Sequence, residues 1–217
     1  NGSFGNTTTS LATPIQSTAE VLRAYQLLGQ QGQVAYSPAL SYLNSDTESN
    51  TEFISRKILV NAQAGNDVTA LVNTLVTHQT ADGGFGDLAG QSSAILDTAF
   101  ALQALAAANY TSGQQVASAV GFLMNRQGAA GGWTDGNNDP SVHLTAQAFR
   151  ALWFYRNGYI GVSGTLGKAQ NFMLSLRDAD GSWGDGFNTA LVLTALLPHV
   201  TDLSLVNAGV LTLQAAQ

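Results

Sequence analysis

The sequence predicts an all-α protein built from about five helix-pair repeats. Short turns with the pattern glycine–x–aromatic recur along the chain, and the last three are about 50 residues apart, a period typical of repeat architectures. Apolar residues follow the turns at steps of three and four, which is the spacing of an amphipathic helix, and no stretch alternates as a strand does. The four turns are Gly2-Ser3-Phe4, Gly83-Gly84-Phe85, Gly131-Gly132-Trp133 and Gly181-Ser182-Trp183.

The first helix of each repeat is predicted from a threonine. A short polar residue precedes four of the five threonines, and such residues are favoured N-caps because their oxygens accept unpaired backbone N–H groups. We therefore predict five helices that begin at these threonines, each with an apolar stripe such as Ala101, Leu102 and Leu105 in the third copy. The five residue pairs are Ser17-Thr18, Asn50-Thr51, Asp97-Thr98, Leu144-Thr145 and Asn188-Thr189.

A second helix follows the first in each repeat. One helix pair is too small to bury its own apolar stripe, so neighbouring pairs must stack around a continuous core. We therefore expect residues 1–217 to form a single repeat domain, in which the aromatic residues of the turns pack as structural clamps over the helix ends. The predicted second helices span residues 38–44, 67–79, 114–127, 165–177 and 203–216.

The composition excludes several classes of function. Only 10% of the residues are charged and the net charge is −6, so the chain lacks the basic face that nucleic-acid binding requires. No apolar run is long enough to span a bilayer. The chain has no cysteine, which excludes disulfides, thiolate metal sites and cysteine nucleophiles. This weakly charged composition, rich in Asn and Thr, indicates a bacterial secreted, periplasmic or cell-surface protein.

Together with the helix before each turn, the motifs resemble the QW motif of the prenyltransferase and squalene (terpene) cyclase repeat superfamily. In that motif a basic or small residue, an aromatic–aliphatic pair, Gln, Gly and Trp stand at set spacing. Partial copies at residues 1–4 and 213–217 predict that the chain is part of a longer polypeptide, with flanking domains as its partners. The three fuller copies are Leu75, Gln79, Gly83 and Phe85; Ala119, Phe122, Leu123, Gln127, Gly131 and Trp133; and Lys168, Ala169, Phe172, Met173, Gly181 and Trp183, with Arg177 in place of Gln.

The resemblance implies an α/α toroid, with the first helices as an inner parallel ring and the second helices outside. Cyclases of the squalene–hopene type protonate their substrate with an Asp-x-Asp-Asp-Thr-Ala motif. The matching stretch, residues 94–99, reads Ala-Ile-Leu-Asp-Thr-Ala, so Leu96 stands at the position of the acid and Asp97 is expected to be an N-cap. Prenyltransferases use a zinc site with a cysteine, which this chain lacks. We therefore predict neither cyclisation nor prenyl transfer.

No metal or cofactor is expected. His78, His143 and His199 fall in different predicted elements, and each is expected at the surface or at a helix end rather than as a ligand. Residues 135–139 and 178–182 carry alternating side-chain oxygens, as calcium loops do, but neither loop has the closing glutamate. Asx turns account for the same pattern, and calcium remains an open alternative at both loops.

The inner ring is predicted to carry a layer of polar residues. The apolar stripe occupies steps three, four and seven after each threonine, so step five points away from the outer helices. In a ring of parallel helices these positions lie at one height, and their arginines would share a cavity suited to carboxylate or phosphate. Ion pairs within a helix, with Glu20 and Glu52, would need no ligand. The step-five residues are Arg23, Arg56, Gln103, Arg150 and Thr194.

Two classes of function are compatible with these patterns. The first is a non-catalytic, ring-shaped scaffold or binding domain of a larger secreted or surface protein. In this case Arg23, Arg56, Gln103, Arg150 and Asp97 would bind a small anionic or polar ligand in the lumen. The alternative is part of a terpenoid cyclase-like, prenyltransferase-like or polysaccharide-lyase-like enzyme with its substrate in the same lumen. A tyrosine–histidine pair facing the lumen would favour an enzyme.

Overall fold

The computed structural model describes residues 2–5, 12–136 and 139–215, and in these ranges the secondary structure is almost entirely helical. This confirms the all-α class. Asn1 and Gln217, which belong to the partial motif copies, and Asn137 of the first candidate calcium loop lie outside the described residues. The helices are α1 (Pro14–Leu27), α2 (Tyr36–Ser45), α3 (Thr51–Gln63), α4 (Thr69–Val76), α5 (Ile95–Ala107), α6 (Gln114–Asn125), α7 (Val142–Trp153), α8 (Val162–Ser175), α9 (Gly186–Leu196) and α10 (Ser204–Ala215), and β1 (Phe85–Gly86) pairs antiparallel with β2 (Ser93–Ala94).

The helices form two layers. Each odd-numbered helix from α1 to α7 packs against the next odd-numbered helix, and each even-numbered helix packs against the odd-numbered helix before it. This alternation places α1, α3, α5, α7 and α9 in an inner layer and the even-numbered helices outside, as an α/α toroid requires. In the described ranges, α1 and α9 share no interface comparable to those between consecutive inner helices.

Four of the five inner helices begin one turn earlier than the sequence predicted. Only α3 begins at its threonine, with Asn50 as the N-cap. Asp97, like Ser17 and Asn188, therefore lies inside the first turn of its helix, and the prediction that these residues are N-caps was wrong. The other four N-caps are Thr13, Ala94, Ser141 and Asp185.

The threonines have a different structural role from the one predicted. Thr145 donates its hydroxyl hydrogen to the carbonyl oxygen of the N-cap Ser141 (2.7 Å). The Thr145 hydroxyl oxygen in turn accepts the backbone N–H of Trp133 (3.1 Å), so one side chain ties the glycine–aromatic turn to the first turn of the helix. The same contact to an aromatic N–H recurs at 2.9 Å in the pairs Phe4–Thr18, Phe85–Thr98 and Trp183–Thr189.

Helix α3 has no aromatic turn of its own, and its threonine binds a neighbouring loop instead. The Thr51 hydroxyl donates its one hydrogen to the carbonyl oxygen of Gly86 (2.6 Å). The Nδ1 atom of His78 lies 2.7 Å from the same hydroxyl. Because the Thr51 hydrogen is already used, His78 must donate from Nδ1. His78 is thus a buried structural residue just beyond the end of α4, and the end of β1 is fixed over the start of α3.

Three of the four turn aromatics are buried as predicted, and Phe4 is partly buried. Trp133 and Phe85 have no accessible surface, and the indole nitrogen of Trp133 donates to the carbonyl oxygen of Leu123 (2.8 Å). The preceding Gly131 has φ +97°, and a β-carbon there would collide with the carbonyl group of Lys168. A side chain is excluded at this position both by the backbone conformation and by the space available.

The buried apolar residues form two separate clusters. The larger cluster runs from α3 to α10 and includes Phe85, Trp133 and Trp183. The smaller one is formed mainly by α1 and α2 and receives Val60 from α3. Helix α3 therefore contributes to both cores and separates the first helix pair from the rest.

Candidate functional site: charged groups on the inner helices

Four of the five polar residues at step five form a connected set. Arg23, Arg56 and Arg150 interact electrostatically with one another or with Glu20. Gln103 joins this set through Gln147. Thr194 does not take part: its side chain is exposed, and its hydroxyl donates to the carbonyl oxygen of Ala190 in its own helix. The structure therefore brings residues of α1, α3, α5 and α7 together, while α9 contributes none at this height.

Glu20 is the centre of the ion pairs. Its carboxylate accepts from Arg56 across the α1–α3 interface at 2.6 Å and from Arg23 in its own helix at 3.2 Å. Arg56 also donates from Nε to Glu52 (2.8 Å), which accepts a second hydrogen bond from Gln16 of α1 (2.9 Å). The two ion pairs within helices are as expected from sequence, whereas the Arg56–Glu20 pair between helices was not anticipated.

Arg150 lacks such a partner. None of the ion pairs in the described part of the chain includes it, and its guanidinium makes a long hydrogen bond, 3.4 Å, to the side-chain oxygen of Gln147. Burial lowers the pKa of Arg150 to about 10, and the positive charge of Arg23 adds to this effect while Glu20 opposes it. Arg150 is therefore a partly buried cation whose charged form is disfavoured by burial and by the charge of Arg23.

The side chain of Glu20 is accessible to water although much protein lies around it. Water can reach 54% of its side-chain surface. Burial by the surrounding protein is nevertheless the largest influence on its pKa and would raise it, but Arg23, Arg56 and Arg150 together hold the pKa below its ordinary value. Glu20 is therefore a partly accessible carboxylate whose charged form is stabilised by the arginines near it.

Gln147 was not predicted from the sequence, and Glu20 was expected only as a partner within its helix. Gln147 accepts from both Arg150 and Gln103, each at 3.4 Å. Both Glu20 and Gln147 stand two residues after their threonine, which is three residues before step five and therefore on the same helix face. Extending the alignment of the repeats from one step to two would have found them.

Asp97 lies apart from the arginines, nearer the start of the inner helices. Burial raises its pKa to about 6, and the carboxylates of Asp87 and Glu52 contribute in the same direction. The helix cap here is Ala94, which makes no side-chain hydrogen bond. Leu96, at the position of the cyclase acid, is partly buried against the larger apolar core. The carboxyl group in this stretch is thus Asp97, whose pKa is raised by its surroundings.

His143 stands on the same part of α7. Burial lowers its pKa, and Glu52 counteracts this. Its ring stacks on Phe187 of α9 with the ring centres 5.4 Å apart. The partner is therefore an aromatic side chain without a polar group, not the tyrosine that would have favoured an enzyme. No tyrosine–histidine hydrogen bond is present among the residues that the structure describes.

Side-chain oxygens of the second candidate calcium loop bond to backbone N–H groups of the same loop. No group of three or more His, Asp or Glu side chains in the described ranges is arranged to hold a metal ion. In the loop at 178–182, Asp180 accepts from the backbone N–H of Ser182 (2.9 Å), and Asp178 accepts from that of Gly184 (3.0 Å). These are the Asx-type contacts that the sequence offered as the alternative to calcium.

The outer surface carries a cleft of its own. A polar cleft of about 400 Å³ lies outside the inner layer, where the end of α2, the middle of α3 and the start of α4 meet, and Lys57 and Asn61 are among its lining residues. The cleft differs from the arginine cluster because its cation, Lys57, is already bound by Asp46 and by the carbonyl oxygen of Glu48.

No helix in the described ranges is long and apolar enough to cross a membrane.

The two layers of helix pairs are an α/α fold of the kind found in terpene cyclases. ent-Copalyl diphosphate synthase from Streptomyces platensis superposes with a TM-score of 0.73 at 19% identity, over 93% of this chain and 44% of its own. A protein from Actinoplanes superposes with a TM-score of 0.63 at 23% identity, over 78% and 58% of the two chains. No protein-family model and no curated protein sequence matches the chain.

These similarities establish the fold and nothing finer. At such identities, proteins of one fold carry unrelated functions. The chain also spans only 44% and 58% of the length of the two solved structures. What either protein does as a whole is therefore not transferred to this chain by the superposition.

Proposed function

We propose that this chain is a ring-shaped binding domain that holds the anionic group of a small ligand in the space between its inner helices. Arg23, Arg56 and Arg150 would bind that group, and Gln103 would position Arg150 through Gln147. The observation that carries the proposal is the state of Arg150: it is partly buried, the charge of Arg23 disfavours its charged form, and it has no carboxylate partner among the described residues.

The physical argument concerns the cost of a partly buried charge that has no ion-pair partner among the described residues. Removing a guanidinium from water is unfavourable, and the cost is recovered only by an opposite charge and good hydrogen bonds. Arg23 and Arg56 recover it through Glu20 and Glu52. Arg150 does not, and an anion between the three arginines would offset both its desolvation and the repulsion from Arg23. Arginine is also suited to carboxylate and phosphate because its donors form a planar fork.

The wider setting of this domain is part of the proposal. One contact recurs in two repeats and supports the resemblance to the QW repeat. The side-chain amides of Gln79 and Gln127 each donate to the carbonyl oxygen of the glycine four residues later. The low charge supports a secreted or surface location. The chain matches only part of the length of each solved structure, which is compatible with a piece of a larger polypeptide in which flanking domains accompany this ring.

Calorimetric titration with inorganic phosphate and with acetate tests the proposal. We expect binding by the native chain and its loss in Arg150→Ala, because the remaining two arginines are already paired with glutamates. Arg126→Ala is the matched control: Arg126 lies at the end of the outer helix α6 and pairs with Asp82 at the surface. Binding that persists unchanged in Arg150→Ala, or is lost equally in Arg126→Ala, contradicts the proposal.

A second candidate function, a terpenoid cyclase-like enzyme, is favoured by Asp97 and by the shared fold. A carboxyl group whose pKa is about 6 is partly protonated near neutral pH and is therefore able to act as a general acid. The absence of an acid at Leu96 argues against the mechanism of the squalene–hopene type. Incubation with squalene and with a prenyl diphosphate separates the two candidates: we expect no product, and turnover that is lost in Asp97→Asn would establish the enzyme.

A further inference from the structure

Glu20 occupies the place where the proposed ligand would bind. It is hydrogen-bonded to Arg23 and Arg56, and its pKa is lowered by the charges of both and of Arg150. A carboxylate that is hydrogen-bonded to two guanidinium groups, with the charge of a third acting on it, resembles the anionic part of a bound ligand. We propose that Glu20 is an internal substitute for the ligand, and that the group which displaces it carries two negative charges, as a phosphate does. This inference rests on the proposed function.

The charge balance of the site points to a doubly charged group. Glu52 stays bound to Arg56 through Nε and is also held by the amide of Gln16, so this carboxylate and this guanidinium neutralise each other. Once Glu20 moves away, Arg23 and Arg150 are left with two positive charges and no partner. A single carboxylate neutralises only half of this charge, whereas a phosphate dianion neutralises it fully.

Glu20 is also the glutamate that can leave at low cost. More than half of its side-chain surface is accessible, whereas that of Glu52 is 22% accessible. Water already competes for the accessible carboxylate of Glu20, which weakens its ion pairs even though the arginine side chains are mostly buried. Helix α1 further belongs to the smaller apolar core, so its side chains can adjust without disturbing the core around Trp133.

The proposal predicts that removing the charge of Glu20 improves ligand binding. At pH 8, where inorganic phosphate is mostly dianionic, Glu20→Gln should bind phosphate about tenfold more tightly than the native chain, the value of roughly one charge-assisted hydrogen bond. The native chain should prefer phosphate to acetate. Glu48→Gln is the control, since it removes the same charge from an exposed side chain outside the cluster.

The measurements are calorimetry and the phosphate-induced rise of the thermal unfolding midpoint, which reports binding to the folded state. Circular dichroism of ligand-free Glu20→Gln verifies its fold, and Glu20→Ala should reproduce its gain. Unchanged or weaker binding in both Glu20 variants, while Arg150→Ala still abolishes it, overturns the role of Glu20 and leaves the proposed function intact. Equal affinity of the native chain for acetate and phosphate overturns the preference for a dianion. Failure of phosphate to bind to any variant overturns both proposals.

Discussion

The first helix pair and the later pairs are built on the same plan but stabilised differently. From α5 to α9 the aromatic residue of each turn is enclosed in the larger core, as Trp133 and Trp183 are. Phe4, the corresponding aromatic before α1, is only partly buried and packs against the smaller core. The backbone contact to the threonine is present in both regions. The repeat geometry is thus maintained by the hydrogen bond even where apolar burial is reduced.

The junction between the two regions is polar. Gln26 of α1 donates to the carbonyl oxygen of Val60 (2.9 Å), and Arg56 pairs with Glu20 across the same interface. The interfaces from α5 onward are made largely of small and apolar residues. Charged groups are tolerated between α1 and α3 because the Glu20 side chain there is 54% accessible to water. Glu20, Arg23 and Arg56 lie on these two helices, so the charged cluster is found beside the smaller of the two apolar cores.

The largest difference between the two regions is expected when the turn aromatics are removed. Trp133→Ala should lower the free energy of unfolding by about 3–5 kcal/mol, since it empties a fully enclosed site and removes the hydrogen bond to Leu123. Phe4→Ala should cost only about 1–2 kcal/mol because its ring is partly solvated. Denaturant unfolding of both variants checks this. Equal losses would mean that the two regions form one cooperative core.

A smaller difference is expected from the threonine contacts. Thr145→Val leaves the buried N–H of Trp133 without an acceptor, which should cost about 1–3 kcal/mol. Thr18→Val leaves the N–H of Phe4 near water and should cost less. Thr194→Val, whose hydroxyl is exposed, is the control and should stay within about 0.5 kcal/mol of the native chain. If Thr18→Val proves as costly as Thr145→Val, the first turn is as well enclosed as the third.

Within the described residues the sequence predicted the order of the helices because the apolar stripes are regular, and the alignment on the threonines placed Arg23, Arg56 and Arg150 at equivalent positions. It failed at the helix starts because threonine was taken as the marker of an N-terminus. In Thr98, Thr145 and Thr189 the hydroxyl bonds back to the N-cap carbonyl, and this places the residue four positions into the helix. Contacts between helices, such as Arg56–Glu20, depend on how each helix is rotated about its axis and shifted along it. The apolar pattern of a single helix does not contain this information.

The smallest effect we predict concerns two carboxylates whose pKa values are displaced in opposite directions. Asp97 has a pKa of about 6 instead of 3.8. Between these pH values the folded chain holds the proton that the unfolded chain has lost, so the stability that the protonated form provides declines as pH rises through this window. The pKa of Glu20 is lowered from 4.5, so its contribution is present above that pH and is lost as pH falls.

The substitution Asp97→Asn removes the ionised carboxylate and its repulsion from Asp87 and Glu52. Asp97→Asn should therefore be more stable than the native chain at pH 7.5, by about 1 kcal/mol because the group is partly solvated, and equally stable at about pH 4. Glu20→Gln without ligand should show the opposite sign at pH 7.5, because it releases Arg23 and Arg56 from their partner. Thermal unfolding of both variants at the two pH values decides this. A destabilised Asp97→Asn at pH 7.5 would mean that the carboxylate is bound by groups that offset its burial, and that it is ionised and not available as an acid.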